Sequence, residues 1–180
     1  MQLFPGIDIL CMSRRDILEK GIVFGFCLFL LGMISCREKS TPAIGKSLAD
    51  LTLSDLQGNK VAIPADCRGK VALIHFWASW CPSCRGEMQN LEAIGNEYRD
   101  RGAFPCSIGV GEKREAALSY IGNMNITYPI LLDSYAETKG VFGVNGIPTY
   151  YILDREGIIR HKILGKVDRS ELDKMVRLMV

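Results

Sequence analysis

Val71-Ala72-Leu73-Ile74-His75-Phe76-Trp77-Ala78-Ser79-Trp80-Cys81-Pro82-Ser83-Cys84 is the most informative stretch of this chain. Val71 to Trp77 is an almost continuous apolar run, the pattern of a central strand buried on both faces. After Cys81 the period changes. Met88, Leu91, Ile94 and Tyr98 recur at spacings of three and four, which predicts a helix from Cys81 to Arg101 stopped at Gly102. A Cys-x-x-Cys placed between a buried strand and a helix has a mechanistic reading as a redox pair. The strand delivers Cys81 to the carboxyl edge of the sheet, where α/β proteins place their sites. There the unpaired N–H groups and dipole of a helix N-terminus favour its thiolate. Such positions lower a cysteine pKa from about 8.5 to roughly 3.5–7.5. Cys84 lies one helical turn deeper, within reach of a mixed disulfide on Cys81. Cys81 is therefore the expected nucleophile and Cys84 the resolving thiol, the two forming a redox disulfide. Pro82 suits the first helical turn, where its missing N–H costs nothing.

The flanking sequence predicts one α/β domain over 47–180. On the N-terminal side, Leu48 to Ile63 is apolar sequence broken by Gln57-Gly58-Asn59, a hairpin signal. On the C-terminal side, Phe104 to Val110 predicts a second parallel strand and Lys113 to Met124 a helix. Tyr128 to Asp133 is a short extended segment, and Ala136 to Phe142 a short helix ended near Gly143. Strands over Thr149 to Leu153 and Ile158 to Leu164 enclose the turn Asp154-Arg155-Glu156-Gly157. A closing helix follows over Asp168 to Val180. This order implies a sheet with helices on both faces.

The chain has 180 residues, 48% hydrophobic and 23% charged, with a net charge of +2. Its Lys and Arg residues form no basic run, so no nucleic-acid partner is expected. The seven cysteines show a single close pair, and the two histidines are far apart in sequence. A structural zinc site wants four ligands, usually from two close pairs. No metal and no cofactor is expected.

The N-terminal 36 residues read as an address. Arg14, Arg15 and Lys20 precede an uncharged stretch from Gly21 to Cys36 with an apolar body at 22–31, the layout of an export signal. The run is short for a membrane span of about 20 apolar residues, though an uncleaved signal anchor stays open. Met33-Ile34-Ser35-Cys36 resembles a bacterial lipoprotein signal, which would make Cys36 the lipidated mature N-terminus. Residues 37–46 then form a tether. Met12 leaves a tidier start than Met1, and Ser13-Arg14-Arg15 also resembles a twin-arginine signal, against which the strongly apolar body argues. The folded part is expected outside the cytoplasm, where disulfide chemistry operates.

Phe76-Trp77-Ala78-Ser79-Trp80-Cys81-Pro82-Ser83-Cys84 resembles the thioredoxin superfamily, and most nearly its membrane-attached TlpA-like and ResA-like branch. The resemblance covers 47–180. It implies a thioredoxin fold, a central mixed sheet flanked by helices, with an N-terminal β-hairpin extension and a central helix–strand insertion. It implies that Gly146-Ile147-Pro148-Thr149 is a cis-proline loop facing the cysteines. Ile147 would then offer backbone hydrogen bonds to an extended substrate, with Pro148 against the sulfurs. Trp80 and Pro82 join them as substrate-binding residues. It also implies a proton-transfer role for Glu87, three residues after Cys84, which as a first-turn acid would equally complement the helix dipole. One departure stands out. Ordinary thioredoxins carry Asp six residues before the first cysteine and this branch often Asn, whereas here the position is His75. It is read either as a tuning or relay group or as a hydrogen-bonded core residue.

The resemblance implies an enzyme that exchanges disulfides with exported proteins, most simply a reductase of the cytochrome c maturation type, supplied by a membrane electron donor. Two other readings stay open: a peroxide-reducing enzyme, although Ala78 stands where those relatives carry threonine, and a Cu(I) carrier using Cys81 and Cys84. Cys106 reads as a small core residue. Cys67, in the loop Asp66-Cys67-Arg68-Gly69, is open to exposure, and a Cys67–Cys106 disulfide stays undecided.

Overall fold

The computed structural model describes residues 42–180. The export signal, Cys36 and the first half of the tether lie outside the described residues. The elements are β1 (Leu51–Asp55), β2 (Lys60–Ile63), β3 (Val71–Trp77), α1 (Cys84–Tyr98), β4 (Ala103–Val110), α2 (Arg114–Ile121), β5 (Ile130–Asp133), α3 (Glu137–Val141), β6 (Thr149–Leu153), β7 (Ile159–Leu164) and α4 (Arg169–Arg177). They form one seven-stranded sheet of order β2-β1-β5-β4-β3-β6-β7.

The sheet is mixed because β3 pairs in parallel with β4 and antiparallel with β6. All seven residues of β3 are buried, as its unbroken apolar run requires. Its side chains alternate between two cores. Leu73 and Trp77 face α1, α2 and α4, meeting Met88, Leu91, Ile94, Ala117, Leu172 and Val176. Ala72, Ile74 and Phe76 face the opposite layer, with Ile108, Phe142 and Tyr151. Each Leu, Ile, Val, Met or Phe among them contributes about 1.5–3 kcal/mol relative to its exposed state.

The hairpin around Gln57-Gly58-Asn59 forms as expected, and β1 extends the main sheet by pairing antiparallel with β5. Asp55 closes its turn by accepting the N–H groups of Gln57 and Asn59, both at 2.8 Å. Pro105 sits inside β4 without disrupting it. It pairs with Leu73 on one side, and β5 covers the other side only from Ser107 onward, so the missing N–H faces no partner strand. Gly95 lets α1 lie close on this strand, since a Cβ there would come within 2.5 Å of the Pro105 ring.

Both ends of α1 differ from the sequence expectation, and α2 and α4 each end three residues before their expected limits. Helix α1 begins at Cys84, not Cys81. The N–H of Cys81 bonds to the Ala78 carbonyl at 3.0 Å and the N–H of Cys84 to the Cys81 carbonyl at 3.3 Å. Two tight turns thus swing the chain from strand to helix direction before the helix can start. Pro82 lies in the second of them, just ahead of the helix. At its far end α1 stops at Tyr98, and a 3-10 turn over Arg99–Arg101 runs into Gly102, whose φ of 90° suits glycine.

Candidate active site

Cys81 and Cys84 are joined by a disulfide, with Cα atoms 5.5 Å apart. Cys81 retains 3% exposure and Cys84 none. The turn that presents them is fixed by groups from the segment after β4. Glu112, itself buried, accepts the Ser79 N–H at 2.7 Å and the Ser79 hydroxyl at 2.9 Å through Oε1. The Tyr120 hydroxyl donates to the Cys81 carbonyl at 3.0 Å. The Tyr120 ring stacks on Trp77 and takes the Arg85 guanidinium over it. Glu112 and Tyr120 escape sequence reasoning because their partners are 33 and 39 residues away. Behind the turn lies the N-terminus of α1, whose first-turn N–H groups and dipole favour negative charge at Cys81 once the disulfide is reduced. Cys81 Sγ also lies 3.6 Å from Ser83 Oγ.

Glu87 is one turn along α1 and 5% exposed. Its Oε1 accepts the Val167 N–H at 3.4 Å, and its Oε2 is buried without a partner among the described residues. Burial raises its pKa above the ordinary carboxylate value, against the opposing pull of Tyr150, the Val167 N–H and Lys166. The Tyr150 hydroxyl donates to the Glu87 backbone carbonyl at 3.3 Å.

The Ile147–Pro148 bond is cis, as the resemblance implied, and so is Ile63–Pro64, which the sequence did not signal. Pro148 is buried. Its carbonyl is taken by the Gly165 N–H at 2.8 Å, and the Gly146 carbonyl by the Thr149 hydroxyl at 2.6 Å. The N–H and C=O of Ile147 make no hydrogen bond among the described residues. Ile147 packs against the apolar cluster that contains Cys81 and Cys84. It also shares a groove with Trp80, which is 72% exposed. A free backbone donor and acceptor beside an exposed indole suit an extended peptide added by strand-like pairing.

His75 is fully buried and lies on the same face of β3 as Leu73 and Trp77, stacked on Tyr150 with ring centroids 4.6 Å apart. Its Nδ1 is 3.2 Å from Ser107 Oγ. Ser107 donates to the Tyr128 hydroxyl at 3.1 Å, and Tyr128 donates to the Met88 carbonyl at 3.2 Å. With the Ser107 proton spent on Tyr128, the His75–Ser107 contact needs the proton on Nδ1. Nε2 is then a bare lone pair, and no described atom partners it. Burial pushes the imidazole down to about 3, so it is neutral at working pH and supplies no positive charge to the thiolate.

A consequence for stability follows. A folded-state pKa depressed from 6.5 to about 3 contributes stability that is present above pH 6.5 and lost as pH falls toward 3. At pH 5 the loss from this one group is about 2 kcal/mol. His75→Asn is expected to flatten the fall in urea midpoint between pH 7 and pH 5. An unchanged slope would place the acid sensitivity elsewhere.

Cys67 corrects the sequence reading. It is buried at the end of a 3-10 turn over Ala65–Cys67, with 2% exposure, and burial pushes its thiol up to about 12. Cys106 is buried in the same apolar cluster, and both thiols are free.

A mixed sheet that presents a helix-capping Cys-Pro-Ser-Cys disulfide beside a cis-proline loop defines a thiol–disulfide oxidoreductase of thioredoxin fold. Known proteins agree. Residues 44–162 match the AhpC/TSA family, and the chain belongs to that family. It is 33% identical to the thioredoxin-like protein YneN of Bacillus subtilis, over 74% of this chain and 79% of that one. It is 26% identical to the thiol-disulfide oxidoreductase ResA of Geobacillus kaustophilus, over 76% and 78%. The crystal structure of a thiol:disulfide interchange protein DsbE from Chlorobium tepidum superposes with a TM-score of 0.73 at 23% identity. That match covers 77% of this chain and 99% of that chain, and it bears on the fold alone.

Proposed function

We propose that the protein is a reductase of disulfides in exported proteins, working outside the cytoplasm and held to a membrane through its N-terminus, with lipidated Cys36 as the anchor. The observation that carries this reading is the pairing of two features at one disulfide. Ile147 offers an unpaired backbone beside exposed Trp80, which suits an extended cysteine-bearing segment. Glu87 supplies a buried carboxylate whose raised pKa suits taking the proton from Cys84. Resemblance to the ResA-like branch supports the haem-binding cysteines of apocytochrome c as substrate, and a membrane thiol protein as electron donor.

The reaction balances without a cofactor. The Cys81 thiolate attacks one sulfur of the substrate disulfide, whose S–S bond breaks and whose other sulfur leaves and takes a proton. Cys84 gives up its proton and attacks the Cys81 sulfur, releasing the second substrate thiol. The protein dithiol is oxidised to the Cys81–Cys84 disulfide as the substrate disulfide is reduced.

The reduction potential of the Cys81–Cys84 pair tests the direction. A reductase is expected near or below the roughly −270 mV of thioredoxin, and a value near the roughly −120 mV of a strong oxidant overturns the proposal. Membership of the AhpC/TSA family gives the peroxide reading its own assay. Turnover of hydrogen peroxide with a thiol donor, faster than reduction of an exported-protein disulfide, would replace the reductase reading.

A further inference from the structure

The N-terminal segment is fastened at the pole of the sheet opposite the disulfide. β3 runs from Val71 to Trp77 and hands the chain to the reactive turn, so Cys81 lies beyond its carboxyl end. β6 runs the other way, with Leu153 beside Ala72, and β7 starts with Ile159 beside Leu153. At that start Gly45 donates its N–H to the Ile159 carbonyl at 2.8 Å, and Ile159 donates back to the Lys46 carbonyl at 2.9 Å.

This pole is basic. Arg155, in the turn between β6 and β7, donates to the Gly69 carbonyl at 3.2 Å and to the Arg101 carbonyl at 3.0 Å. Arg101 in turn reaches the Val180 backbone oxygen at 3.2 Å. Those bonds gather the loops before β3 and β4, the turn after β6 and the end of α4 onto one face. It carries Lys46, Arg68, Lys70, Arg101, Arg155 and Arg160, all exposed. The acids beside them are Asp66, Asp100, Asp154 and Glu156. Asp66 accepts the Ala62 N–H, and of the six cations Arg160 alone has an Asp or Glu partner, Asp154, among the described residues. Two large apolar side chains stand uncovered on the same face. Ile44, next to Gly45, is 65% exposed, and Leu178, next to Met179, is 85% exposed. Met179 lines a depression of about 450 Å³ with Arg155, Arg160 and His161, which puts this end of α4 beside the arginines.

From this juxtaposition we infer that the pole is a contact face for anionic phospholipid headgroups, seating the domain on the membrane with the reactive turn pointing away. The inference rests on the proposed attachment through Cys36 and adds an orientation to it. Pro42, where the described residues begin, is six positions after Cys36. Such a stretch spans at most about 20 Å. A lipid on Cys36 would therefore hold this face close to the bilayer, and groups tethered together meet at high effective concentration. Lys and Arg are attracted to an anionic leaflet within a screening length of about 8 Å. Ile44 and Leu178 suit the boundary between headgroups and acyl chains, where an apolar side chain leaves water. The seven residues of β3 rise about 3.3 Å each. Cys81 thus stands roughly 20 Å or more beyond the face, open to exported proteins.

The test binds the full chain to vesicles of phosphatidylcholine alone, or with about a third of it replaced by phosphatidylglycerol. A water-soluble amine-acylating reagent is added, and mass spectrometry reads the labelling of each lysine. Lys46 and Lys70 belong to the face, whereas Lys139 and Lys166, also exposed, lie toward the reactive end beside Trp80 and Glu87. Labelling of Lys46 and Lys70 is expected to fall about fivefold on the anionic vesicles, with Lys139 and Lys166 labelled equally on both. Arg68→Glu combined with Leu178→Ser, at two exposed side chains, should restore the labelling. The same variant should keep its rate of disulfide reduction, which reports an intact fold. Equal labelling of Lys46 and Lys70 on the two vesicles overturns the contact alone, as does protection that the double variant leaves intact. Equal protection that deepens with protein concentration assigns the face to a second copy of the chain instead. A chain that sediments with neither vesicle removes the attachment, and the contact with it.

Discussion

Cys81→Ser is expected to lower the rate of disulfide reduction by about a thousandfold or more, because the group that forms the first bond is gone. Cys84→Ser is expected to behave differently: the first step survives and a mixed disulfide accumulates on Cys81. The asymmetry has three physical sources. Cys81 keeps a small exposure and Cys84 has none, so an incoming disulfide meets Cys81 first. Cys81 lies in the turn ahead of α1, facing the dipole's positive end, whereas Cys84 is already the first residue of the helix. The Cys81 carbonyl and Ser79 are pinned by Tyr120 and Glu112, which holds the nucleophile's backbone in place as the disulfide opens. Intact-mass measurement after mixing each reduced variant with a peptide disulfide distinguishes the two. A covalent adduct is expected on Cys84→Ser and none on Cys81→Ser. An adduct on Cys81→Ser instead would reverse the assignment.

Features written into local period were legible in the sequence. The apolar run of β3 specified a central strand, and Gln57-Gly58-Asn59 between two apolar segments specified the hairpin. The cysteine pair stood out because strand, turn and helix are consecutive in sequence. What escaped depends on contacts between distant residues. Glu112 looks like any surface acid until the fold brings it beneath Ser79. The state of His75 is set by Ser107 and Tyr128, 32 and 53 positions on, through a hydrogen-bond chain that no periodicity encodes. Cys67 misled for a related reason. Its neighbours Asp66 and Arg68 are polar, yet a single 3-10 turn rotates the thiol inward while they stay outside. Sequence periodicity puts the start of α1 three residues early because Pro82 is acceptable in a first helical turn, whereas here the turn bonds at Ala78 and Cys81 take precedence.

Glu87→Gln is expected to separate activity from stability, moving them in opposite directions. The carboxylate is buried, its Oε2 has no partner among the described residues, and its pKa is raised by that burial. Around it stand Tyr150 from β6 and, from the loop before α4, Lys166, the Val167 N–H and Asp168. The first three pull the pKa down and Asp168 adds to the rise. A carboxyl whose folded pKa lies above its unfolded value stabilises the fold below the unfolded value. That contribution is lost as pH climbs through the folded value. Removing the ionisable group should therefore raise the urea midpoint at pH 8 and change it little at pH 4. Catalysis should respond the other way. Cys84 must lose a proton before it attacks the mixed disulfide, and a positioned base contributes on the order of a hundredfold to such a step. The variant is expected to slow resolution of the mixed disulfide by about that factor near neutral pH. The rate should recover as rising pH ionises Cys84 without help. His75→Asn, measured alongside, should leave this pH profile in place, because a neutral imidazole held by Ser107 has no proton to trade in that range. If Glu87→Gln resolves mixed disulfides at the unaltered rate, the proton leaves Cys84 by another path and Glu87 is only a dipole-complementing acid of the first turn.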